Sequence, residues 1–293
     1  MLKEAFLSYL RYERNCSEKT VAAYGSDIEE FESFLQAMDE DLAPETADGD
    51  VVRDWVLALM EQGRAATSVN RKLSALRTFY KFLLRKGVVS ADPTRKVQGP
   101  KRKKPLPYFV KEADMNRLLD EVDLGDDFEG VRDRTILEVF YETGVRLSEL
   151  IGLKNGDVDL EACTVKVTGK RNKQRIIPFG KELQADLKTY LSVKAACCPR
   201  ECDAFFVRKD GKSMYPSMVY LLVRQALSRV VTMKKRSPHV LRHTFATAML
   251  NHHAELGAVK ELLGHTRLTT TEIYTHTTFE ELKKEYEQAH PRA

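Results

Sequence analysis

The chain has 293 residues, 43% of them hydrophobic and 31% charged, with a formal net charge of +4. This is long enough for two domains with separate cores, and the composition is ordinary for a globular protein. No apolar run approaches the roughly 20 residues needed to span a bilayer, so no membrane partner is expected. The start, MLKEAFLSYLRYER, is too charged for a signal peptide, and five cysteines without a regular framework favour a reducing cytoplasm.

The charge is unevenly distributed. From Asp27 to Glu61 there are twelve acidic residues and one basic residue, Arg53. From Gln62 to Ala91 there are seven basic residues and no acidic one: Arg64, Arg71, Lys72, Arg77, Lys81, Arg85 and Lys86. Such segregation fits one face turned to a polyanion, although a solvated basic helix face would read the same way.

Residues 2–14 read as a first helix. Ser17 is a candidate N-cap for a second helix from Glu18 to about Met38, whose Val21, Tyr24, Ile28, Phe31 and Leu35 follow a 3.6-residue spacing. A third helix holds Val51, Val52, Trp55, Val56 and Leu59. A fourth, from about Thr67, holds Val69, Leu73, Leu76, Phe79, Tyr80 and Leu83 interleaved with basic residues. The glycines and prolines of 87–108 then interrupt regular structure, and Arg95, Lys96, Lys101, Arg102, Lys103 and Lys104 concentrate charge there. This is the best boundary in the chain, giving a helical domain over 1–88, a basic linker over 89–108 and a second domain over 109–293. The linker reads either as a solubilising tether or as a strap along a phosphate backbone.

Helices resume at 111–122 and 129–142, and Gly144 ends the second of them, which leaves Arg146 at a helix junction. CTVKVT (163–168) and RIIPF (175–179) bracket Gly169-Lys170-Arg171-Asn172-Lys173 as a hairpin with a basic turn, and AFFV (204–207) reads as a third short strand. Helices follow at about 181–196 and 216–231. The fold expected is mainly α with a small three-stranded antiparallel sheet. Cys197, Cys198 and Cys202 read as free thiols in a loop. HVLRH carries two histidines four apart but lacks the glutamate of a zinc protease helix, so neither a metal nor another cofactor is expected.

Ser237 to His276 is the densest stretch, with His239, Arg242, His265 and Tyr274. His239 and Arg242 lie three apart on a helix and share a face. TGVRLSEL, TGKRNKQR, HVLRHTFAT, LLGH and IYTH together resemble the tyrosine recombinase family, across nearly the whole chain. The resemblance implies an N-terminal, SAM-like core-binding domain that clamps DNA, and a mixed α/β catalytic domain. It carries over six catalytic residues: Arg146, Lys170, His239, Arg242, His265 and Tyr274. One departure is Arg171, where many relatives have glycine.

Each residue type suits the implied reaction. Two guanidiniums, Arg146 and Arg242, can bind the nonbridging oxygens of a phosphodiester in fork geometry. Tyr274 is the candidate nucleophile, and positive surroundings favour its phenolate. His239 could accept its proton or orient it, His265 could hydrogen-bond the phosphate, and Lys170 suits a general acid. The resemblance supplies a 3′-phosphotyrosyl intermediate and rejoining without ATP or metal. Arg64, Arg71, Lys72, Arg77, Lys101 and Arg102 are candidate contacts to double-stranded DNA. Lys173 is either a backbone contact or solvated.

The ending AHPRA after YTHTTFEELKKEYEQ resembles the Xer recombinases, closer to XerC than to XerD. That likeness implies chromosome dimer resolution at a short, partly palindromic, dif-like site during cell division. It also implies a homo- or heterotetramer with a second Xer-type recombinase, and a septal DNA translocase as activator. The last helix would pack into a neighbouring subunit through Phe279, Leu282 and Tyr286, or fold back on its own domain. The alternatives are an integrase of a mobile element, a type IB topoisomerase and a DNA-binding protein without catalysis. Large integrases usually carry an extra N-terminal arm-binding domain, whereas here the first core helix is expected from residue 2.

Overall fold

The structure, a computed structural model, describes residues 2–101, 108–169, 172–198, 202–264 and 279–293. It divides into two units, Met1–Pro105 and Leu106–Ala293.

The first unit is built from α1 (Leu2–Ser8), continued by π-helical turns over Tyr9–Glu13, then α2 (Glu18–Met38), α3 (Gly49–Glu61) and α4 (Ala66–Arg85). The Ser17 hydroxyl accepts the Thr20 N–H at 3.3 Å and so caps α2, as its sequence position predicts. Asp48 caps α3 by accepting the N–H groups of Asp50 and Val51 at 2.9 and 3.0 Å. The apolar stripes meet in one core, where Phe31 and Trp55 pack edge to face with ring centres 5.0 Å apart.

Part of the charge segregation is consumed inside this unit. Asp27 is buried on α2, and both Arg71 and Lys72 of α4 are turned to it, the Arg71 Nη2 donating at 2.8 Å. Lys72 also pairs with Glu30, which Arg64 approaches at 3.8 Å. The acidic and basic runs thus form a seam between α2 and α4. Residues 92–100 likewise belong to this unit and do not act as a free tether. Thr94 and Val97 are buried, Arg77 donates to the Val97 carbonyl at 2.6 Å, and Asn70 donates to Pro100 at 2.8 Å.

The second unit runs α5 (Glu112–Asn116), continued by a π-helical stretch Arg117–Glu121, α6 (Phe128–Thr143), α7 (Leu147–Ile151), β1 (Val158–Asp159), β2 (Thr164–Thr168), β3 (Gln174–Pro178), α8 (Lys181–Cys197), α9 (Pro216–Ser228), α10 (Pro238–Asn251), α11 (Leu256–Leu263) and α12 (Phe279–Ala289). The sheet is antiparallel in the order β1-β2-β3, with Val158 opposite Val165 and Val165 opposite Ile177. Its third strand is Val158–Asp159 and not AFFV. Phe205 and Phe206 are both buried, so the run cannot alternate between a core face and a solvent face, and the Phe205 N–H donates to Leu153 at 2.8 Å. The five cysteines are free thiols. Among the described residues no helix is long and apolar enough to cross a membrane.

α6 ends where Gly144 takes a left-handed conformation, φ 58°. A Cβ there would lie 2.5 Å from the Phe245 ring of α10, so glycine also permits the close approach of the two helices.

In the single chain α12 packs against its own unit. Leu282, Tyr286 and Ala289 join the core. The Tyr286 hydroxyl donates to Glu142 at 3.0 Å, and Arg292 Nε lies 2.7 Å from both Glu138 and Glu182. Burial lifts the Glu138 carboxyl to about 8 against the pull of Arg292, and the Glu142 carboxyl to about 7 against the Gly180 N–H and the Tyr286 hydroxyl. Burial holds His290 neutral, at about 3.

Carboxyls raised in the folded state give stability that is complete below 4.5 and lost as the pH rises through the raised values. Docking of α12 should therefore loosen as the pH rises from about 4.5 to about 8, a window in which His290 stays neutral. Hydrogen exchange of the 280–289 amides, corrected for intrinsic rates, should show that loosening, and Glu142→Gln should flatten it.

Candidate active site

Two guanidiniums hold one buried carboxylate, and a third is buried close to them. Glu149 is the third residue of α7, and its Oε2 accepts the backbone N–H of Arg146 at 2.8 Å, which closes the first turn of that helix. Its Oε1 takes the Arg146 Nη1 at 2.6 Å. From β3, Arg175 adds a fork, Nη1 to Oε1 and Nη2 to Oε2, both at 2.9 Å. Burial alone would raise the Glu149 carboxyl, but the Arg175 fork, the Arg146 amide and the Arg146 guanidinium together hold it down at about 2.

Arg242 enters from α10, which begins with Ser237 at its N-cap and Pro238 in its first turn. It is buried and donates to the Gly144 carbonyl at 2.6 Å and to the Leu263 carbonyl at 2.5 Å. Burial, and then the charges of Arg146 and Arg175, lower its pKa to about 10, so it remains cationic at neutral pH. Arg146 Nη2 donates to the Gly264 carbonyl at 3.1 Å, and its side chain is still 28% exposed. The arginines thus span α6, α7, β3, α10 and the end of α11, and Glu149 neutralises one of three charges. Such a surplus of charge among the described residues suits a phosphate.

His239 lies exposed one turn before Arg242 on α10. Lys170, His265, Tyr274 and Arg102 lie outside the described residues. The described neighbours of two of them border the arginines. A Cβ on Gly169 would lie 3.3 Å from Glu149 Oε1 and 3.9 Å from Arg146 Nη1, and Gly169 donates to the Lys173 carbonyl at 2.8 Å to close the hairpin. Gly264, the residue before His265, supplies the carbonyl that Arg146 holds.

The proposed DNA contacts divide. Arg64, Lys101 and Lys173 are exposed, and Arg71 is half-exposed while its fork holds Asp27. Lys72 is buried between Asp27 and Glu30, and half-buried Arg77 gives one N–H to the Val97 carbonyl. Sequence reading missed both roles because it sees the charge of α4 but not the carboxylates that α2 brings to it. It also missed Glu149 and Arg175. A signal existed for the first, since glutamate three residues after a helix-start residue is a capping pattern. For the second, an arginine beside the apolar Ile176-Ile177 of its strand was the only mark.

Residues 108–281 match the model of the phage integrase family, and residues 4–87 match the phage integrase N-terminal SAM-like domain. The chain belongs to the phage integrase family, and it is a tyrosine-type site-specific DNA recombinase. Among its relatives, tyrosine recombinase XerC of Chlorobaculum tepidum is 40% identical over 318 aligned positions, covering 98% of this chain and 94% of the relative. XerC of Staphylococcus carnosus is 37% identical, covering 100% of this chain and 98% of the relative. The crystal structure of XerA recombinase aligns over 100% of this chain and 99% of that one, at 28% identity and a TM-score of 0.51. XerH bound to a difH substrate shares the fold, with a TM-score of 0.71 at 20% identity, over 96% of this chain and 83% of that one.

A carboxyl depressed from 4.5 to about 2 gives stability that is present above 4.5 and lost as the pH falls through 2. That difference corresponds to roughly 3 kcal/mol. Glu149→Gln should therefore unfold at lower urea than the parent at neutral pH, and the gap should close as the pH falls toward 2.

Proposed function

We propose that this chain is an Xer-type recombinase acting in the cytoplasm on double-stranded DNA at a short, partly palindromic, dif-like site, where it resolves chromosome dimers. The observation that carries this reading is the pair of guanidiniums, Arg146 and Arg242, held in one frame with Gly169 and Gly264, the residues bonded to Lys170 and His265. Full-length similarity to XerC relatives supports the biological setting.

In the proposed reaction the Tyr274 phenolic oxygen attacks phosphorus, and the bond to the 5′-oxygen breaks. A phosphodiester is anionic and the transition state spreads more charge over the nonbridging oxygens, which Arg146 and Arg242 neutralise. His239 takes or orients the phenolic proton, His265 hydrogen-bonds the phosphate, and Lys170 delivers a proton to the departing oxygen. The 3′-phosphotyrosyl bond preserves the energy of the broken linkage, so the reverse attack by a 5′-hydroxyl rejoins the strand. The assembly proposed is a tetramer on two duplexes, of this chain alone or with a second Xer-type recombinase, activated by a septal DNA translocase.

A nicked suicide substrate tests the chemistry. The parent should form a covalent protein–DNA adduct, and Tyr274→Phe should form none while binding the duplex as the parent does. An adduct that persists in Tyr274→Phe would remove Tyr274 as nucleophile. Adduct formation should survive EDTA. Arg242→Ala should slow it by about 10²–10³-fold, the usual cost of losing one donor to a developing oxyanion.

A further inference from the structure

Arg175 has no part in the reaction just proposed, yet among the described residues its side chain makes more hydrogen bonds than that of either catalytic arginine. All three of its guanidinium nitrogens donate: Nε to the Leu262 carbonyl at 2.6 Å, and Nη1 and Nη2 to the two oxygens of Glu149 at 2.9 Å. Its side chain is 13% exposed against 28% for Arg146, so it lies on the inner side of the cluster.

We propose that Arg175 is a positioning residue for strand cleavage, the tie that holds the Arg146–Glu149 pair, the β2–β3 hairpin and the Leu262–Gly264 turn in one frame. The inference rests on the active site proposed above.

Three observations carry it. First, Arg175 stands opposite Val167, one pair before the ladder ends at Thr168 and Gln174. Fixing its side chain therefore fixes the base of the β2–β3 hairpin, whose connecting residues include Lys170 in the sequence. Secondly, Glu149 Oε1 is shared between Arg146 and Arg175, so the orientation of one fork is coupled to the other. Thirdly, the turn is shaped to the side chain. Gly264 has φ +64°, and a Cβ there would lie 3.1–3.3 Å from the Arg175 Nη1, Cδ and Cζ. The carbonyls on either side of that fit are also taken: Leu263 by Arg242 and Gly264 by Arg146.

The chain alone cannot set this geometry, because Arg175 lies 26 residues from Glu149 and 87 from Leu262. Nor can lysine reproduce it. A single ammonium cannot span a carboxylate and a carbonyl in the fixed directions of a planar fork. With all its nitrogens occupied, Arg175 has little left for phosphate, which distinguishes positioning from catalysis.

The test uses the full chain and compares the parent with Arg175→Ala and Arg175→Lys in single-turnover cleavage of the nicked suicide duplex at saturating protein. Gel shift measures binding and thermal melting measures folding. A second duplex carries sulfur in place of the 5′-bridging oxygen, a leaving group that needs no general acid.

Arg175→Ala should form the adduct about 10²-fold more slowly at parent-like binding, the scale of loss from a small misplacement of reacting groups. The sulfur substrate should recover part of that loss, because a displaced hairpin then costs nothing at the leaving group. A purely structural role would lower both substrates equally, so equal losses overturn the proposal, as does an Arg175→Ala rate within about threefold of the parent. If Arg175→Ala does not fold, Arg175→Lys decides. An intermediate rate is expected, and a parental rate overturns the proposal. Absence of adduct in the parent itself would strike the proposed active site, not this inference.

Discussion

The catalytic unit depends on one buried carboxylate. Three guanidiniums brought together would repel one another and lose hydration, and burial already lowers the Arg242 pKa to about 10. Glu149 makes the cluster affordable. It binds Arg146 and Arg175 at the same time and closes the first turn of α7 with the Arg146 amide. Removing one partner from such an arrangement leaves an uncompensated buried charge, typically at a cost of about 3–5 kcal/mol. The remaining alignment comes from carbonyls at two helix ends, Gly144 after α6 and Leu262 to Gly264 at the end of α11. The C-terminal carbonyls of a helix lack intrahelical partners, and here guanidiniums satisfy several of them.

α6 connects this site to the tail. Its last turns present Glu138, Tyr141 and Glu142 to α12 and to the residues after it, and then end at the glycine whose carbonyl Arg242 holds. Docking of the tail and placement of the arginine are thus built on successive turns of one helix. The tail anchors are polar and titratable where an apolar helix contact would have sufficed for packing. Their balance accordingly depends on pH, which a purely apolar seam would not.

In the first unit, charge is divided between structure and surface. The alternation of acidic and basic runs reads as a polyanion-facing surface. In the structure, Asp27 and Glu30 draw Lys72 fully and Arg71 partly into a seam between α2 and α4. Arg77 similarly fastens residues 92–100 to α4. Exposed cations remain at Arg64 and Lys101. A count of charges along the chain cannot separate these roles, since pairing is decided by the neighbour that packing supplies.

What the sequence determined alone was local and periodic. The helices of the first unit, the Ser17 cap, the stop at Gly144 and the β2–β3 hairpin follow from 3.6- and 2-residue spacings and from residues with strong backbone preferences. The family was also legible, because motifs such as TGVRLSEL and HVLRHTFAT are contiguous strings. Tertiary structure decided everything that depends on distant residues meeting. It replaced AFFV with Val158–Asp159 as the third strand, packed α12 against its own unit in the single chain, drew Lys72 into a buried ion pair and tied Arg77 to the Val97 carbonyl. It also joined Arg175 to Glu149 and to Leu262. The physical reason is common to all four. A side chain's role is set by the partner that compensates its burial or its charge, and in these cases the partner lies on another element, where periodicity carries no information.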